Sequence, residues 1–219
     1  MKLLLKFPTR NRPHKALKVL KKYLKYMTGD NYEVVISCDN DDLSMQEEHI
    51  KEVLASYDKV KVIYGDNKSK IGAINADMDV CVDYDIVLLV SDDMTPLKKG
   101  YDDIIREDMK RYYPDTDGVL WYNDGHRTDL NTLCILGRKY YERFGYIYHP
   151  DYKSFFSDDE FMQVANQLGK QQYIDNVIIE HQHPVWGFGG NDELYNHNLR
   201  FWKEDEDMFA ERKNKNFDL

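Results

Sequence analysis

The sequence predicts an α/β fold, a single doubly wound and mostly parallel sheet with helices on both faces. Three observations carry that prediction. Short apolar runs alternate with amphipathic helical stretches through the first 113 residues, the pattern of consecutive strand-helix-strand units. One run, Ile86 to Val90, holds five apolar residues without alternation, as expected of an inner parallel strand buried on both faces. Finally, the 219 residues are 42% hydrophobic, enough for one sizeable core, and no linker, repeat or composition break divides them, so residues 1–219 are read as one domain.

The elements follow in order. Leu3 to Phe7 reads as the first strand. After "PTRNRP" comes a helix in which Ala16, Leu17, Leu20, Leu24 and Met27 recur at helical spacing and Gly29 can close the end. "YEVVISC" is a second strand. Ser44 and Glu47 then stand at capping-box spacing, which predicts a helix opening at Ser44. "VKVIYG" is the third strand, and "KIGAINADMDVCVDY" predicts one helix with Ile71, Ile74, Met78 and Val82 on one side. Past the fourth strand, Thr95 and Pro96 offer an N-cap and first helical residue for "LKKGYDDIIREDMKRYY". "DGVLWYNDG" and "NTLCILGRKYYERFG" read as two strands and a short helix. Ser157 and Glu160 again have capping-box spacing, with Gly169 as the stop. Val177 to Ile179 makes a last strand, beyond which His181 and His183 point to the same side.

Composition excludes several partners. A net charge of -9 argues against a general nucleic-acid or anionic-membrane surface, so any phosphate must be met by a metal or by a few basic side chains. Cys38, Cys81 and Cys134 lie too far apart for a zinc site and are odd in number, which fits a reducing compartment. The apolar run in "MKLLLKFP" is too short for a signal-peptide core, and nothing approaches a membrane span. The expectation is a soluble, cytoplasmic protein.

In sheets of this type ligands sit beyond the carboxyl ends of the strands. "PTRNRP", "CDNDD", "GDNKSK" and "SDDM" follow strands one to four and should crowd one edge. Two acidic clusters with Arg10, Arg12, Lys68 and Lys70 suit a divalent cation and a diphosphate. The run "DND" at Asp39 to Asp41 is a rival cation site, disfavoured by its position after strand two.

The order strand, "TRNRP", strand, Asp39, strand, "KSKIGAIN", strand, "SDDM" resembles the nucleotide-binding half of a GT-A-fold glycosyltransferase of the family-two type. The resemblance implies a Rossmann-like GT-A domain, with residues 1–113 binding a nucleotide sugar and residues 114–219 forming the acceptor and catalytic half. In that family the fourth strand ends in a DxD-like motif whose last carboxylate binds Mn2+ or Mg2+. Here the triplet is Ser91, Asp92 and Asp93, which makes Asp93 the metal ligand and assigns Asp92 to ribose or indirect metal contact. Thr9 and Arg10 would border the nucleotide, Asp39 would read the base, and Lys70 and Asn75 would lie near base and phosphates.

Inverting members of the family carry a Glu-Asp pair at a helix start whose Asp is the base. By spacing to Met162, Asp159 takes that place and Asp158 stands for the Glu. A histidine near the C-terminus completes the metal site in several GT-A enzymes, here His183 in preference to His181. The "WGFGGND" stretch would close over the donor, with Trp186 stacking on sugar. The expected activity is metal-dependent, hexosyltransferase-like transfer from a nucleotide diphosphate sugar, with UDP the expected nucleotide, to a glycan or other hydroxyl acceptor, with inversion. Two alternatives stand beside it. A nucleotidyltransferase shares the sheet and the carboxylate-bound cation, although "FPTRNRPHK" lacks the glycines its phosphate loop needs. A non-catalytic nucleotide-sugar-binding module gains weight from Ser91 in place of the first DxD acid.

Overall fold

The structure, a computed structural model, describes residues 1–183, 186–188 and 192–219. Seven strands form one sheet in the order β3-β2-β1-β4-β7-β6-β8. They are β1 Leu3–Pro8, β2 Tyr32–Asp39, β3 Val60–Gly65, β4 Ile86–Leu89, β6 Val119–Tyr122, β7 Ile135–Gly137 and β8 Gln171–Ile174. The first four run parallel; β7 is antiparallel to both β4 and β6, and β8 is parallel to β6. A separate two-stranded ladder pairs β5 Met94–Pro96 with β9 Ile179–His181.

Two apolar layers sandwich the sheet. On one face Leu3, Leu5, Val34, Ile36 and Leu88 pack under α1 Pro13–Tyr26, α2 Glu48–Ala55 and α4 Tyr101–Tyr112. On the other, Leu4, Val35, Val87, Leu89 and Leu136 pack under α3 Lys70–Asn75, α5 Arg138–Phe144 and α6 Ser157–Gln167. This alternation along each strand is the period-two geometry of a sheet covered on both sides. Two further helices, α7 Glu193–Leu199 and α8 Trp202–Asn214, close the chain, and Met208 and Phe209 of α8 pack against the second layer.

Lys6 interrupts that second layer. It is fully buried at the centre of β1, where its ammonium donates to the Ser37 hydroxyl, which in turn donates to Asp77 at 2.5 Å. Burial lowers its pKa to about 8, against the attraction of Asp77.

Several predicted boundaries move for local reasons. Ser44 does not cap α2: its hydroxyl and backbone N–H both donate to Asp42, and the helix starts at Glu48. Thr95 and Pro96 are strand residues rather than a helix start, because β9 pairs with them; α4 begins after Gly100, whose φ of 79° favours glycine. The predicted helix from Lys70 to Tyr84 ends at Asn75, since Asp77 turns left-handed at φ 58°. Val82 is consequently 66% exposed rather than part of a buried face. α1 stops at Tyr26, ahead of Gly29. Ser157 is the first residue of α6 rather than its cap, that place falling to Phe156. The last strand begins at Ile179, and β8 comes from a polar stretch the periodicity did not mark.

Candidate functional site

The carboxyl ends of β1, β2, β3 and β4 bring the four predicted loops together. Arg10 donates to Asp39 at 2.5 Å and makes a two-pronged contact with Asp41 at 2.5 and 2.8 Å. The other Asp39 oxygen accepts from Asn67 at 2.8 Å. Both oxygens of the predicted base reader are thus oriented by neighbours, which fixes the carboxylate. Thr9 is buried and its hydroxyl has no partner among the described residues, a polar group left open at the strand end where a nucleotide is expected.

Asp92 and Asp93 differ in surroundings despite being adjacent. Asp92 is buried against Arg12, at 3.0 Å, and Lys15, at 3.3 Å. Burial raises its pKa, with Arg12 and Lys15 acting against the rise. Arg12 also clasps Asp192, with bonds of 2.7 and 2.6 Å, and so ties the first loop to the start of α7.

Asp93 faces His181. One carboxylate oxygen lies 3.6 Å from Nε2 of His181 and the other accepts from Ser91 Oγ at 2.5 Å. The β5–β9 ladder causes this pairing: Met94 stands opposite His181, and Gln182 N–H donates to the Asp93 carbonyl at 2.6 Å. On the far side of the ring, Nδ1 of His181 stands 3.7 Å from Asp124, too long for a hydrogen bond, and this buried nitrogen has no hydrogen-bond partner among the described residues. Burial works against charging the imidazole, but Asp124 and Asp93 outweigh it and raise its pKa to about 9. Burial likewise pushes Asp93 upward, yet His181, Ser91 and Lys70 hold it below the ordinary carboxylate range. Lys70, exposed at the start of α3, therefore acts on this centre through its charge.

His183 lies beyond the end of β9, with its ring 5.4 Å from that of His181 and 5.8 Å from that of Trp186. The strand register places the His181 ring 3.6 Å from Asp93, with His183, the histidine preferred as a ligand from the sequence, two residues further along the chain. Trp186 stacks on His126 at 4.6 Å with an interplanar angle of 10°, so one of its faces is already covered. Residues 184, 185 and 189–191 of the predicted closing stretch lie outside the described residues.

Asn75 bonds across to the second half of the chain. Its side-chain oxygen accepts from the backbone of Ile147 and Tyr148, and its amide donates to the Tyr148 carbonyl at 2.7 Å. It fastens α3 to the second half of the chain.

Asp158 and Asp159 stand in the first turn of α6. Asp159 is half-buried, and burial followed by the charge of Asp158 raises its pKa to about 6, with Arg127 acting against them. Asp124 is a site residue that sequence reasoning missed. Fully buried, it accepts from Thr132 Oγ at 2.5 Å and from the backbone N–H groups of His126 and Arg127 at 2.8 and 2.7 Å. It places a charge 3.7 Å from the His181 ring and holds the turn carrying Arg127. The short "ND" after β6 was its only signal. Lys15, Asn67 and Arg127 were likewise unmarked.

A divalent cation is implied by the family resemblance, and the residues present fit one. A carboxylate and an imidazole 3.6 Å apart, with a second carboxylate behind the imidazole, form a donor set suited to Mn2+. Among the described residues no group of three or more His, Cys, Asp or Glu side chains could hold an ion.

No protein-family model and no curated protein matches the chain. Solved structures do. The Pyrobaculum calidifontis mannosyltransferase PcManGT in complex with GDP-Man and Mn2+ superposes with a TM-score of 0.65 at 14% identity, covering 85% of this chain and 58% of that one. S. aureus TarS 1-349 in complex with UDP-GlcNAc gives 0.64 at 17% identity, covering 82% and 58%. The same TarS fragment with UDP gives 0.65 at 16%, covering 100% and 72%. The chain has a GT-A-type glycosyltransferase fold. It spans under two thirds of the length of PcManGT, at 58%, and 35% of full TarS. No helix among the described residues is long and apolar enough to cross a membrane, and the three cysteines are free and buried.

Proposed function

We propose that this chain is an inverting, metal-dependent glycosyltransferase that moves a sugar from a nucleotide diphosphate donor, UDP-linked in the first instance, to a hydroxyl acceptor. The observation that carries the reading is the Asp93–His181–Asp124 row at the strand ends of a GT-A-type fold, with the raised carboxyl of Asp159 in the other half. Thr9 and Asp39 would receive the nucleotide, and Lys70 would add positive charge beside the diphosphate. A divalent cation, when bound, supplies neutralisation of the departing diphosphate, and Asp93 with His181 or His183 would hold it.

Asp159 is the base of this reaction. A carboxylate with a pKa near 6 is ionised at neutral pH yet more basic than an exposed one, as proton abstraction requires. It takes the acceptor hydroxyl's proton while the acceptor oxygen bonds to the anomeric carbon. The bond from that carbon to the phosphate oxygen breaks, and its electron pair leaves with the nucleoside diphosphate. Asp158 raises the basicity of Asp159, and Arg127 acts against that rise. Trp186 would contribute an aromatic surface to a sugar ring.

The test is release of nucleoside diphosphate from UDP-GlcNAc and GDP-mannose, each with Mn2+ and with chelator. Cation-dependent release is expected. Asp93→Asn should abolish donor binding, while Asp159→Asn should keep it and lower turnover by about 10²–10⁴. Turnover of nucleoside triphosphates instead would favour the nucleotidyltransferase reading, and donor binding without turnover the non-catalytic module.

A further inference from the structure

One face of α1 carries a charge pattern that the proposed site does not use. Lys18, Lys21, Lys22 and Lys25 stand at i, i+3, i+4 and i+7 in a helix with no acidic residue, so they form one stripe. Lys18 with Lys22, and Lys21 with Lys25, are like-charged pairs that oppose helix formation. Among the described residues none of the four reaches a carboxylate within 4 Å; the ion-paired lysine of this helix is Lys15, on Asp92. Lys22 instead lies over the Tyr26 ring at 5.5 Å. The stripe, with His14 and Tyr26, lines a shallow groove of about 570 Å³. In a chain with 39 acidic against 30 basic residues, an acid-free face of four unneutralised lysines is the reverse of the overall balance.

The groove begins at His14, two residues past Arg12. α1 starts immediately after Arg12, which holds Asp92 and Asp192, and Lys15 joins Arg12 on Asp92. From there the stripe leads away along the helix, each turn advancing about 5.4 Å.

We propose that this groove binds an acidic polysaccharide and guides it to the site as acceptor. The proposal rests on the reading above for the acceptor being a glycan; the groove's taste for a carboxylated chain rests on its charge alone. A membrane surface fits less well, because the large exposed apolar side chains, Leu43, Val82, Leu97, Phe188, Leu199, Trp202 and Leu219, all lie off α1, leaving nothing on this face to insert. A nucleic-acid duplex fits less well too, since a stripe of four lysines on one helix falls short of the broad excess of basic side chains that duplex binding relies on.

Binding of polygalacturonate to the full chain, measured at low and moderate salt, tests the assignment. The wild-type chain should bind with an affinity that falls steeply as salt rises. The variant K18Q/K21Q/K22Q/K25Q, checked for folding by circular dichroism, should lose on the order of tenfold or more of that affinity while its donor hydrolysis stays unchanged. Equal binding by the variant, or no binding by the wild type, overturns the proposal. So does stripe-dependent binding of duplex DNA or of anionic phospholipid vesicles that is tighter than that of the polysaccharide. Absence of donor hydrolysis in both chains would count against the transferase reading, whereas the binding comparison judges the groove separately.

Discussion

Asp205→Asn probes the support beneath the candidate base. Asp205 sits on α8, fully buried, and its carboxylate accepts from the backbone N–H groups of Lys153, Ser154 and Phe155, each at 2.8 Å. Those residues lead into Phe156, which holds a left-handed backbone at φ 59° immediately before α6. Such a conformation in a bulky residue is a strained one that persists only when its surroundings determine it. Phe156 is fixed by ring contacts with Trp202 and Phe209 of α8 at 5.0 and 5.8 Å, and its neighbours by Asp205.

Asparagine keeps one acceptor oxygen and turns an N–H group toward a backbone donor. One oxygen of Asp205 serves two donors and the other serves one, so the best orientation of asparagine retains two contacts and loses the third. A hydrogen bond to a charged group contributes roughly 1.5–3 kcal/mol, and the remaining two weaken when the charge is lost. The expected destabilisation is about 2–4 kcal/mol. At roughly 2–4 °C per kcal/mol for a chain of this size, the thermal midpoint should drop by about 4–16 °C. Calorimetry and urea unfolding with an unchanged slope would check it. Turnover measured well below the midpoint should also fall, because Asp158 and Asp159 follow this segment directly. A midpoint within about 1 °C of wild type would refute the idea that α8 braces the entry to α6.

Two other outcomes follow from the site. Because Asp159 must be ionised to accept a proton, and its pKa is raised to about 6, kcat/KM should fall tenfold per pH unit below about 6 and level off above it. Asp158→Asn removes the neighbouring charge and should move that limb to lower pH, whereas Arg127→Gln should move it higher; pH-rate profiles that stay in place would contradict the assignment of the base. Asp124→Asn should weaken Mn2+ affinity by about 10–100-fold, as loss of the carboxylate behind a ligating imidazole does. Titration calorimetry in the absence of donor, and again with nucleoside diphosphate, would read this directly, and unaltered affinity would remove Asp124 from the site.

The central sheet was legible in the chain because its signal is local. Ile86 to Val90 can be buried on both faces only inside a sheet that helices cover on both sides, and the polar loops after successive parallel strands then share an edge. Asp93 and Arg10 could be placed by that rule before any coordinates. Helix ends were less legible, because the deciding interactions were not those of helix capping: Ser44 bonds to Asp42 instead of a helix N-terminus, and Thr95 and Pro96 pair with Glu180 and Ile179, far along the chain.

The sequence by itself determined the alternation of strands and helices, the acids at the end of the fourth strand and the acidic turn at Asp158 and Asp159, since each is written in neighbouring residues. Only the tertiary structure decided that His181 meets Asp93, that Asp124 stands behind it, and that Asn75 is a bracket between halves. Those outcomes depend on the register of the β5–β9 ladder and on contacts between residues tens of positions apart. A one-residue slip in that ladder would turn His181 to the opposite face, and no local pattern in the chain encodes which register wins.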